Sequence, residues 1–98
     1  MEQTKELINL PLKFKVEEVL KVTNVGVWLK GVVLEGILLE NMKLKIGPSQ
    51  LKTAVTAFEA WPSRFLNGAK PLSVCVFSIS NPELYPLIKK GDIAFEDK

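Results

Sequence analysis

Between Asn41 and Pro82 the chain carries five cations, Lys43, Lys45, Lys52, Arg64 and Lys70, against one acid, Glu59. Lys43 and Lys45 are two residues apart, so an extended segment turns both to one face. Trp61 lies beside the segment carrying Arg64. A basic stripe next to an aromatic ring can hold single-stranded RNA, with phosphates on the cations and bases on the ring. The alternative is a solvated lysine face with Trp61 in the core. Trp28, beside Lys30, is a second and weaker pairing of the same kind, with packing against the N-terminal tail as its alternative.

Other chemistries lack their parts. The chain has no histidine, the commonest general base and metal ligand. Its one cysteine, Cys75, stands among Val74, Val76 and Phe77 with no basic partner to form a thiolate, and reads as a buried structural thiol. Glu17-Glu18 and Glu96-Asp97 are adjacent pairs, and neighbouring strand residues point to opposite faces, so neither pair converges on one substrate atom. A phosphate loop ends in Gly-Lys-Ser/Thr, whereas Gly31 is followed by Val32-Val33 and Gly36 by Ile37-Leu38. No catalytic residue, cofactor, nucleotide or metal site is expected.

Ninety-eight residues, 47% of them hydrophobic and 24% charged, make room for one domain with a single core. A net charge of +2 is too mild for an overtly basic nucleic-acid arm. The first six residues, Met1-Glu2-Gln3-Thr4-Lys5-Glu6, have no apolar core of signal-peptide length. The longest strongly apolar stretch, Leu72 to Ile79, falls well short of a membrane helix. With one cysteine and no export signal, the expected address is the cytoplasm, away from membranes.

The segments that must position the cations read as strands. Phe14, Val16, Leu20 and Val22 alternate with Lys13, Lys15, Glu17 and Lys21, and Glu18 interrupts the dry face where a bulge is expected. A second β-rich segment, Val27 to Leu39, contains Gly31 and Gly36, which mark bends or close backbone approach. Met42, Leu44 and Ile46 alternate with Lys43 and Lys45 after an Asn41 turn. Leu51 to Trp61 is a fourth strand, its parity blurred by Ala54, Ala57 and Ala60; Arg64 to Lys70 reads as a loop. Leu72 to Ile79 is apolar on both parities and reads as a strand buried on both faces. Pro86 limits the segment after Asn81 to a short turn, and Ile93-Ala94-Phe95 closes the chain. Six strands with turn signals between them predict an all-β barrel or sandwich.

The order of these features resembles the second domain of translational GTPases, the β-barrel of elongation factor Tu and initiation factor two. The resemblance rests on Phe14-Lys15-Val16-Glu17-Glu18-Val19, on Gly26 followed by Gly31-Val32-Val33-Leu34-Glu35-Gly36, and on Val55 to Glu59. It continues through Asn67-Gly68-Ala69 with Leu72 to Ile79, and ends at Lys90-Gly91-Asp92-Ile93. Asn41 stands where that family usually has glycine, and Pro62 where relatives holding the aminoacyl end of transfer RNA tend to offer basic residues. These 98 residues themselves hold no GTPase signature. The resemblance implies a small closed six-stranded β-barrel of the translation-protein type over residues 13–98, preceded by a tail at 1–12. It implies a non-catalytic module associating with RNA or a ribosomal particle, and the charge pattern puts the contact on Lys43, Lys45, Lys52, Trp61, Arg64 and Lys70. The alternative is an accessory domain that binds a protein partner and no nucleic acid.

Overall fold

Alternation with period two is carried through into paired strands. The computed structural model describes residues 10–24, 26–61, 64–65, 68–69, 71 and 73–97, with backbone alone for Trp61, Arg64, Phe65, Gly68 and Ala69. Strands β1 (Lys13–Val22), β2 (Gly26–Glu35), β3 (Leu38–Leu39), β4 (Lys43–Ile46), β5 (Leu51–Trp61), β6 (Arg64–Phe65), β7 (Gly68–Ala69), β8 (Val74–Ile79) and β9 (Ile93–Glu96) follow in chain order. A 3₁₀ turn, Pro82–Leu87, lies between β8 and β9 and contains Pro86.

Six strands close into an antiparallel barrel in the order β1-β2-β8-β5-β4-β9, while β3, β7 and β6 form a small separate sheet. The barrel and its six strands are those expected. The second segment divides at Gly36, whose φ of +74° bends the chain out of β2 before β3. Part of the expected loop from Arg64 to Lys70 is instead the pair β6 and β7.

The inward face is continuous: Phe14 and Val16 from β1, Leu29 and Val33 from β2, Phe77 from β8 and Val55 from β5 are fully buried. Leu44 and Ile46 from β4 and Ala94 from β9 complete the ring of core residues. The Phe14 and Phe77 rings meet edge to face, their centroids 4.9 Å apart. Leu12 belongs to this core although the sequence places it in the tail, and its N–H donates to Glu96 Oε1 at 3.3 Å. Residues 1–9 lie outside the described residues. In β8, Cys75, Phe77 and Ile79 are buried on one face, while the other runs from exposed Val74 through half-buried Val76 to buried Ser78, so the expected burial on both faces holds toward the C-terminal end of the strand and fails at Val74.

Besides a register shift between Lys13 and Phe14 at the start of β1, two bulges bend the long strands. One falls between Val16 and Glu18, where Glu18 broke the apolar parity; the other falls between Val55 and Ala57, which accounts for the blurred parity among the alanines of β5. Gly31 allows β1 to cross close to β2: a Cβ there would lie 1.9 Å from the Lys15 carbonyl oxygen. Closure is completed where the Gly91 N–H donates to the Val16 carbonyl at 2.7 Å and the Val16 N–H to the Asp92 carbonyl at 2.9 Å.

Candidate nucleic-acid interface

Because Leu44 and Ile46 point inward, Lys43 and Lys45 point outward. Antiparallel pairing sets Lys45 directly opposite Lys52 on β5 and opposite Phe95 on β9. Phe95 in turn faces Lys13 on β1, and Lys13 faces Glu35 on β2. One row of side chains therefore crosses the outside of the barrel from β5 to β1: Lys52, Lys45, Phe95, Lys13. Its outermost strands stand about 14 Å apart. Lys43 flanks the row on β4, and exposed Lys15 flanks it on β1.

Two carboxylates lie in contact with this row. Lys45 Nζ is 3.6 Å from Asp97 Oδ1, and Lys13 Nζ is 3.8 Å from Glu35 Oε1. Both lysine side chains are a third or more exposed, so these ion pairs are weak and a phosphate can replace either carboxylate. A third carboxylate nearby, Glu96, accepts the Leu12 N–H. Lys45 and Lys52 oppose each other across the ladder, an arrangement that costs folding energy.

The remaining expected site residues stand elsewhere. Trp61 is opposite Val74, nine residues along β5 from Lys52, and hence about 30 Å away along the strand. Arg64 is on β6 beyond it; the side chains of Trp61 and Arg64, and all of Lys70, lie outside the described residues. The structure thus brings together Lys43, Lys45 and Lys52, and separates them from Trp61 and Arg64. A local charge count misses Lys13, Lys15 and Phe95, because barrel closure sets β9 beside β4 and β1 beside β9. Trp28 is half-buried, paired with Ser78 and Leu20 on another part of the barrel.

Cys75 is fully buried, in keeping with a structural thiol. Among the described residues no three His, Cys, Asp or Glu side chains are grouped to hold a metal ion, and no helix is long and apolar enough to cross a membrane.

Solved structures with this architecture exist. Translation elongation factor SelB from Methanococcus maripaludis superposes over 91% of the chain with a TM-score of 0.79 at 18% identity. A bacterial selenocysteine-specific elongation factor, EF-Sec, matches 91% of the chain with a TM-score of 0.75 at 21% identity. The fold is that of a translation-factor barrel. The chain spans 19% of the SelB protein and 15% of EF-Sec, so the likeness covers one barrel within far longer proteins. At these identities it establishes the fold of the translation-factor barrel and leaves its activity to the site. No protein-family model matches the sequence, and no curated protein is significantly similar to it.

Proposed function

We propose that the chain is a non-catalytic translation-factor-like barrel that docks RNA, free or in a ribosomal particle, through the outward lysines of β4 and β5, joined by those of β1. One observation carries this: barrel closure gathers Lys43, Lys45 and Lys52 on the adjacent strands β4 and β5 and Lys13 and Lys15 on β1, one strand beyond β9, with Lys45 and Lys52 held opposite each other despite their repulsion. A polyanion relieves that repulsion, and release of its counterions drives binding. The similar structures are elongation factors, which makes the translation machinery the natural setting and the cytoplasm the proposed location. Trp61 and Arg64 belong to a second, separate contact at the far end of β5 in this proposal, and Lys70 stays a candidate on its sequence position alone.

Fluorescence anisotropy with a panel of labelled RNAs at about 50 mM salt tests it. Wild type binds, and the double variant Lys43→Glu/Lys45→Glu loses at least tenfold in affinity. No association at low salt, or an unchanged affinity in the double variant, overturns it. The accessory-domain alternative draws on Tyr85 and Leu87, both exposed on the 3₁₀ turn beside a cleft that Pro86, Ile46 and Leu51 help line. Recovery of one protein without RNA from the native host favours that alternative.

A further inference from the structure

We propose that Phe95 is a stacking platform for an unpaired base, which makes single-stranded RNA the substrate class; this rests on the RNA-docking function proposed above. Phe95 is 43% exposed, whereas its neighbour Ala94 is fully buried, so strand alternation presents the ring at the surface. In register it stands between Lys13 on one side and Lys45 on the other. An exposed ring between cations from flanking strands is the arrangement that stacks a base while the adjoining phosphates meet the ammonium groups.

Two clefts border the ring. One, of about 260 Å³, is lined by Gly47, Pro48, Gly91, Asp92 and Ile93; the other, of about 410 Å³, is lined by Lys45, Pro48, Gln50 and Glu96. Gly91 has φ +94° and open space where a side chain would be, so the floor of the first cleft is partly backbone. Both clefts are open along the surface, which suits a chain lying across Phe95 better than an enclosed small molecule. The Lys13 ammonium sits 5.9 Å from the ring centroid, at the outer limit of a cation–π contact, so a base displaces it at little cost.

The ring also selects among polyanions. Lysines attract duplex and single strand alike, whereas the bases of a duplex are already stacked and cannot reach a ring on a barrel wall. Lysine is depleted from protein–protein interfaces, and this ring has lysines on both sides, which favours RNA over a protein partner here.

The test compares an unstructured oligouridylate with an RNA hairpin of equal phosphate count, its bases all paired but for a minimal closing loop cross-linked shut, by anisotropy over a salt series. Phe95→Ala and Phe95→Leu weaken oligouridylate binding about 5- to 150-fold, leave the hairpin affinity and the salt slope unchanged, and melt like wild type. Phe95→Tyr retains the wild-type affinity. Phe95→Leu keeps the apolar bulk and removes only the π face, so a wild-type affinity in that variant overturns the stacking role. An equal loss on the hairpin overturns it as well. If Lys43→Glu/Lys45→Glu weakens both RNAs while the Phe95 variants change neither, the stacking role alone falls; if wild type binds neither RNA, the docking function falls with it.

Discussion

Replacing Lys52 by glutamate moves folding stability and RNA affinity in opposite directions. Lys52 stands directly across the ladder from Lys45, and both side chains lie on the outside of the barrel. A directly opposed like-charge pair is unfavourable and an opposite-charge pair is worth roughly 0.2–1 kcal/mol. Lys52 is exposed and the Lys45 side chain is 34% exposed, so solvent screening leaves a gain of about 0.5 kcal/mol. In a domain of this size that raises the melting temperature by about 2–4 °C. The same change removes one phosphate contact and adds a repulsion, which lowers RNA affinity about tenfold at low salt and reduces the salt slope by about one. Lys30→Glu is the control. Lys30 faces Glu18 across the ladder, away from the β4–β9 row, so its reversal lowers the melting temperature and leaves RNA affinity nearly unchanged. Thermal melts by circular dichroism and anisotropy titrations read both quantities. A lower melting temperature for Lys52→Glu, or an unaltered RNA affinity, refutes the reasoning.

Three further variants test the barrel itself. Gly31→Ala puts a Cβ against the Lys15 carbonyl oxygen and 3.0 Å from the Phe14 ring, so β1 must retreat by more than an ångström; a loss of about 2–4 kcal/mol is expected in urea unfolding, and a wild-type midpoint contradicts the close crossing. Phe77→Ala removes a fully buried ring and its edge contact with Phe14, at a cost of about 3–5 kcal/mol in the same assay. Ser73 is fully buried and its hydroxyl has no hydrogen-bond partner among the described residues, so Ser73→Ala leaves stability unchanged or raises it by up to about 1 kcal/mol; a loss above that reveals a partner for the hydroxyl.

The strands were legible because one face of each is dry, and period two shows that directly in Lys43-Leu44-Lys45-Ile46 and in Phe14 to Val16. Gly31 and Gly36 were legible as points of close approach because no other residue fits them. Phe95 was not legible as a surface ring, since three residues of a closing strand do not say which face is inside; barrel closure decides it by turning Ala94 to the core. Nor could the sequence show that Lys13 lies near Lys45, because that neighbourhood requires β9 to slot between β1 and β4. Trp61 and Arg64 were grouped with the β4 lysines by sequence proximity, and an eleven-residue strand carries them to the other end of the barrel.

The most direct measurement is the slope of log affinity against log salt for wild-type protein on an unstructured RNA. Three to five lysines meeting phosphates on one face predict a slope between about −2 and −3.5. The triple variant Lys43→Glu/Lys45→Glu/Lys52→Glu should flatten it toward zero with its fold intact. A slope near zero for wild type, or one that the triple variant leaves unchanged, contradicts an RNA-docking lysine face.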